Sequence, residues 1–219
     1  RLRGAEHAAG HQPIHKSVQW GYQHAQDIAD TFQNKRSGFT YARGGNPTTA
    51  ALEAQINLLE QGIGTISFAT GMAAISTLIL ALLKEGDHLV ASQYLFGNTT
   101  SLFTTLAAHG ISISYADVTD VEQVKAAIQP NTRMVFVETL ANPRTQIADL
   151  MGIGRVCQEK GLVYVVDATM STPALLRAKE CGASIVMNSL SKGLAGHGAV
   201  LGGSLTDTGL FDWSNYPNI

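Results

Sequence analysis

The sequence predicts an α/β protein built on a mostly parallel sheet. From about Thr48 onward, helical patterns and short β-rich runs alternate with few residues between them, the signature of βα units. With 219 residues and 45% hydrophobic content the chain can bury a substantial core, and no internal repeat or low-complexity segment breaks the series.

Each element follows from its own pattern. Ala50 to Glu60 places Leu52, Ile56 and Leu59 on one helical face, with Pro47-Thr48-Thr49 as start signal and Gly62 as stop. Thr65 to Ala69 reads as a strand, and Gly71-Met72-Ala73-Ala74 opens an apolar helix to about Lys84, ended by Gly86. A strand at His88 to Ala91, a helix near Thr99 to His109 and a strand at Ile111 to Tyr115 follow. Next come a helix from Val121 to Ile128, a strand from Met134 to Glu138 and a helix from Leu150 to Lys160. Strands at Val163 to Val166, Ile185 to Met187 and Leu201 to Leu205 complete the series, with a short helix before Gly182. The first forty residues differ: they are polar, rich in His and Gln, and lack periodicity until Ile28. Residues 1–47 read as an extended arm suited to an inter-subunit contact, and residues 48–219 as the folded domain.

Composition narrows the function classes. Charged residues are 15% of the chain and the formal net charge is -2, which gives no electrostatic footprint for nucleic acid or an anionic membrane. The longest largely apolar run, Ile75 to Leu83, is too short to span a bilayer. The opening RLRGAEHAAGHQP has no signal-peptide pattern, and the absence of a starting Met leads us to expect further residues before Arg1. Cys157 and Cys181 lack CxxC spacing and are expected to be reduced core thiols of a cytoplasmic protein.

In a parallel sheet, ligands bind where strands end and helices begin. Three such junctions carry chemistry. At Thr70-Gly71-Met72 the free N–H groups and dipole of a helix start favour a phosphate, although Gly at such a turn also serves packing alone. Asp167 puts a carboxylate at the end of the buried run Val163 to Val166, where a helix cap or a metal ligand is an equally good reading. Asn188-Ser189-Leu190-Ser191-Lys192-Gly193 places a lysine among hydroxyls and glycines, against the plainer reading of a solvated surface charge. Together, a phosphate site, an acid for a pyridinium nitrogen and an amine for a carbonyl are what pyridoxal 5'-phosphate (PLP) requires. Gly152-Ile153-Gly154 lacks the third glycine of a dinucleotide fingerprint, and there is no GxxxxGK[ST] phosphate loop. His7, His11 and His15 are spaced by four, but Pro13 breaks the helix that would align them on a metal.

These residues resemble the Cys/Met-metabolism PLP enzymes, the family of cystathionine γ-synthase, cystathionine lyases, methionine γ-lyase and O-acylhomoserine sulfhydrylases. The resemblance runs through Pro13-Ile14, Tyr41 to Thr48 (YARGGNPT), Thr70 to Ala74 (TGMAA), Glu138 to Pro143 (ETLANP), Asp167 to Pro173 (DATMSTP) and Ser189 to Gly198 (SLSKGLAGHG). It implies a type I PLP fold large domain with three α/β/α layers, and a homo-oligomer, expected as a tetramer, whose active site is shared between subunits. Lys192 would hold the cofactor as a Schiff base and then carry protons between substrate carbons. Asp167 would pair with the pyridine nitrogen. Gly71, Met72, Ser189 and Ser191 would hold the phosphate, Tyr41 and Arg43 would reach the phosphate of the neighbouring subunit, and Asn142 would lie beside the ring hydroxyl.

The departures from the family pattern matter as well. The family commonly has YGGT where this chain reads Phe96-Gly97-Asn98-Thr99. Phe96 can stack on the cofactor ring but lacks the phenol used in acid–base steps of many lyases, and Tyr94 is two positions earlier. Phe at this position resembles O-acylhomoserine sulfhydrylases, and Asn98 replaces the cysteine typical of methionine γ-lyases. Asn188 and Leu190 also differ from the usual residues around the lysine. These enzymes are roughly twice as long, and their C-terminal domain supplies the arginine for the substrate α-carboxylate. The expected reaction is γ-replacement on an O-acylhomoserine by a sulfur nucleophile; γ- or β-elimination from methionine or cystathionine, and a nucleotide-binding α/β domain without PLP, are the alternatives.

Overall fold

The computed structural model describes residues 12–219. The chain divides into two compact units, Arg1–Gln55 and Ile56–Ile219. In the first, helix α1 (Ala25–Phe32) is followed by turns and irregular chain. An isolated bridge joins Gln19 to Tyr41, Trp20 meets Phe39 at 5.7 Å between ring centroids, and Arg36 pairs with Asp27. Of the spaced histidines, His7 and His11 lie outside the described residues, while the His15 backbone N–H donates to Thr48 Oγ1 at 2.8 Å.

Helix α2 (Pro47–Glu60) takes in its own start signal, because Asn46 Oδ1 accepts the Thr48 N–H at 2.8 Å and proline suits a first helical turn. The second unit alternates strands and helices: β1 (Gly64–Phe68), α3 (Gly71–Leu82), β2 (His88–Ser92), α4 (Gly97–Ala107), β3 (Ser112–Ala116), α5 (Val121–Ala127) and β4 (Thr132–Glu138). It continues with α6 (Leu150–Lys160), β5 (Val163–Asp167), the single-turn α7 (Thr172–Leu175), a 3-10 turn at Ala178–Cys181, β6 (Ile185–Asn188) and β7 (Gly203–Asp207).

The seven strands form one sheet in the order β1-β7-β6-β5-β4-β2-β3. The run from β3 to β6 is parallel throughout, whereas β7 is antiparallel to both β6 and β1. This is the mostly parallel sheet that the alternating patterns predict, with one reversed strand that periodicity alone does not reveal.

Successive strand residues point to opposite faces, and the core divides accordingly. Leu89, Ala91, Met134, Phe136, Val163 and Val165 face α3 and α4, with Phe103 of α4 edge-on to Phe136 at 5.4 Å. Val90, Val135, Val137, Tyr164, Val166 and Val186 face α5 and α6. The result is the three-layer α/β/α arrangement of the type I fold. Runs such as Val163-Tyr164-Val165-Val166 are continuously apolar because both faces are covered.

Caps and close approaches fix the helices. Asp149 accepts the Gly152 N–H at 2.9 Å, and a Cβ on Gly154 would sit 2.0 Å from the Cys181 carbonyl oxygen. The Gly152-Ile153-Gly154 sequence therefore serves a helix cap and close packing. Cys157 and Cys181 are buried and free. Among the described residues no helix is long and apolar enough to cross a membrane.

Candidate active site

The carboxyl ends of the strands open into a cavity of about 410 Å3, within the range of small-molecule sites. Gly71, Met72, Phe96, Asn142, Asp167, Ser189, Ser191 and Lys192 all line it, so the structure brings together these residues from five separate segments. Tyr41 and Arg43 belong to the first unit, where the Arg43 guanidinium lies 5.5 Å from the Tyr41 ring centre. A larger cavity, about 940 Å3, lies at the opposite, amino ends of the strands, near Thr132, Leu162 and Ser184. The carboxyl-end cavity is the better candidate, because ligands of parallel sheets bind at strand carboxyl ends and because a helix N-terminus and two buried acids, Glu138 and Asp167, line it.

The anion end is built by α3. The Thr70 side chain caps the helix by accepting the Ala73 N–H at 3.0 Å, and the Thr70 carbonyl accepts from Ala74. The N–H groups of Gly71 and Met72, first in the helix, have no intrahelical acceptor and carry the positive end of the dipole. Gly71 is required by contact: a Cβ there would come within 2.8 Å of Ser189 Cβ and 3.0 Å of Ser189 Oγ. Ser191 lines the same wall, but its hydroxyl donates to the Gly202 carbonyl at 3.2 Å and accepts the Gly202 N–H at 2.9 Å.

The acid end is built by β4 and β5, where Glu138 and Asp167 are register partners at adjacent strand ends. Burial raises the Asp167 pKa, against hydrogen bonds from the side chain and backbone of Thr169, whose N–H reaches Oδ1 at 3.0 Å. Thr169 Oγ1 also accepts the Ser189 N–H at 2.8 Å, which ties the end of β5 to the lysine-bearing loop. Phe96 precedes α4 as its N-cap residue, lines the cavity and is 43% exposed. Tyr94 does not face this cavity; its hydroxyl donates to Asp117 Oδ2 at 2.7 Å.

Glu138 is the residue that motif reasoning passed over. Its carboxylate accepts the backbone N–H of Phe96 at 2.7 Å and that of Asn142 at 3.4 Å, linking the two loops that flank the cavity. Burial pushes its pKa up to about 7, the neighbouring Asp167 charge adds to the rise, and the two backbone donors oppose it. The signal was in the sequence: like Asp167, Glu138 is an acid at the end of a buried β-run.

A sequence profile for Cys/Met metabolism PLP-dependent enzymes matches residues 2–218. The chain belongs to this family. It is 39% identical over 212 residues to an O-acetyl-L-homoserine sulfhydrylase of Corynebacterium glutamicum, covering 96% of this chain and 48% of that protein. It is 44% identical over 168 residues to a cystathionine gamma-synthase/O-acetylhomoserine (thiol)-lyase of Bacillus subtilis, covering 76% of this chain and 45% of the relative. Among solved structures, a putative O-acetylhomoserine (thiol)-lyase from Campylobacter jejuni, which carries N'-pyridoxyl-lysine-5'-monophosphate, superposes with a TM-score of 0.84 at 32% identity. That match covers 89% of this chain and 49% of the neighbour. The chain thus spans about half the length of the relatives it matches.

The cofactor of the family is PLP, and the cavity fits it. Gly71 lets the first turn of α3 lie against Ser189, so that helix N–H groups and a serine hydroxyl meet where an anion would need them, and Asp167 is a buried acid whose desolvation a protonated ring nitrogen would offset. Lys192 is an exposed amine on the same cavity wall.

Proposed function

We propose that this chain is the cofactor-binding half of a γ-replacement enzyme, which exchanges the acyl group of an O-acylhomoserine for a sulfur nucleophile. The observation that carries the reading is the convergence of Lys192, Asp167 and the start of α3 on one cavity. PLP, when bound, supplies a carbonyl for the substrate amine and an electron sink for charge that develops on carbon. Lys192 is the amine that would attach the cofactor, and its Nζ would carry protons between substrate carbons. Asp167 holds the proton on the ring nitrogen. The N–H groups of Gly71 and Met72, with Ser189, bind the phosphate, and Ser191 holds the Gly202 turn behind them. Asn142, whose backbone N–H donates to Glu138, would lie on the ring hydroxyl side. Tyr41 and Arg43 act on the phosphate of a neighbouring subunit, which makes the assembly a homo-oligomer.

Phe96 supports replacement over elimination. It would cover the ring face but cannot donate or accept a proton, and Tyr94 is engaged with Asp117. The leaving acyl group departs from Cγ as a carboxylate, and a thiol or sulfide adds there with loss of its proton. The full-length protein should show a visible absorbance band with PLP that borohydride fixes to Lys192. Finding the label on another residue would overturn the assignment. Product formation from O-acetyl- or O-succinylhomoserine should require sulfide or cysteine; release of an oxo acid without either would instead support elimination.

A further inference from the structure

Glu60 is a buried acid outside the chemistry described so far. Glu60, the last residue of α2, is fully buried, and Asn188, the last residue of β6, is equally buried. Asn188 Nδ2 donates to Glu60 Oε1 at 2.6 Å. The other oxygen of each group, Glu60 Oε2 and Asn188 Oδ1, is buried without a partner among the described residues. Two acceptors cannot satisfy one another, and a buried polar atom left without a partner is destabilising. A proton on Glu60 turns one of the two acceptors into a donor and satisfies both atoms at once.

We propose that Glu60 is a positioning residue for Lys192, acting through a two-point carboxylic acid–amide pair with Asn188. Asn188 is the last strand residue before the loop that carries Ser189, Ser191 and Lys192. Its cross-strand partner is Ser204, next to Gly203, where a Cβ would meet the Thr70 carbonyl oxygen at 2.3 Å. Fixing Asn188 therefore fixes the lysine loop against the anion turn. Burial raises the Glu60 pKa; the Asn188 hydrogen bond and the Arg177 charge lower it but do not cancel the rise. Ser204 Oγ is also buried without a partner and is the competing donor for Asn188 Oδ1.

The inference rests on the reading of Lys192 as the cofactor lysine, and the experiment separates the two. In the full-length PLP-loaded protein, the infrared difference between wild type and Glu60→Gln at neutral pH should show a protonated carboxyl stretch; its absence overturns the acid–amide pair. Gln can make both bonds with Asn188 without a proton, so this variant should hold PLP within about twofold of wild type. Glu60→Ala and Asn188→Ala should each weaken PLP affinity about tenfold and shift the alkaline titration of the visible band. If Glu60→Ala does not fold, Asn188→Ala alone decides: an unchanged band and affinity overturn the positioning role. Loss of affinity in Ser204→Ala, with Glu60→Ala unaffected, assigns the bond to Ser204 and likewise overturns it. A borohydride label away from Lys192 would defeat the lysine reading, while the infrared result would still stand or fall by itself.

Discussion

Glu138 accepts the backbone N–H of Phe96 at 2.7 Å, so a strand-end acid fixes the aromatic residue that stands over the cavity. The same carboxylate reaches the Asn142 N–H and faces Asp167 across the β4–β5 register. Substituting it therefore acts on both flanks of the cavity.

The pH dependence of Glu138 has a definite sign. Its folded pKa, about 7, lies above its ordinary value of 4.5, so the folded state holds a proton that the unfolded chain releases. Stability from this group is fully present below about pH 4.5 and is lost as pH rises through about 7, by about 3 kcal/mol. Glu138→Gln should remove that decline. Urea unfolding of both proteins from pH 4.5 to 8.5 checks it, and parallel curves would refute the assignment.

Lys192→Ala should abolish the visible band and lower turnover by about 1,000-fold or more, with the folded structure intact by circular dichroism. Asp167→Asn should keep the band but lower turnover by about 100-fold or more, because an amide cannot hold the ring nitrogen protonated. Absorbance spectra and steady-state rates separate the two effects.

Two glycines offer a paired test of binding against packing. Gly71→Ala would press a Cβ against Ser189 at 2.8 Å, destabilise by about 1–3 kcal/mol and weaken PLP binding. Gly154→Ala would drive a Cβ to 2.0 Å from a backbone oxygen, which cannot yield as a side chain does. It should destabilise by about 3 kcal/mol or more while leaving the affinity of the folded fraction for PLP unchanged. Thermal melts with and without PLP distinguish these outcomes.

Phe96→Tyr should introduce a phenol over the cavity and raise oxo acid release from methionine or cystathionine about tenfold or more in the absence of sulfide. A coupled dehydrogenase assay measures it; unchanged elimination would remove Phe96 as the discriminating residue.

Much of this site was legible because strand ends in a parallel sheet are fixed by apolar runs, and Asp167, Gly71 and Lys192 each follow such a run. The α6 boundaries, Leu150–Lys160, agree with the pattern because Asp149 and the left-handed Gly161, at φ 64°, cap both ends. The Glu138 bridge was not legible, since its partners are backbone N–H groups that carry no sequence signal. Nor was the commitment of the Ser191 hydroxyl to Gly202, a contact created by the reversal of β7. Periodicity locates strands but is indifferent to their direction.

That reversal has a consequence for the order in which the protein is made. Among the described residues β1 pairs only with β7, and the hydroxyls of Thr65 and Thr206 meet at 2.8 Å across 141 residues of chain. A nascent chain thus exposes β1 early, yet β1 has no neighbour until the segment Gly203–Asp207 has left the ribosome. By then Lys192 has already emerged. The turn at Gly71 and the lysine loop are thus joined through the sheet only once Gly203–Asp207 is available to bridge β1 and β6.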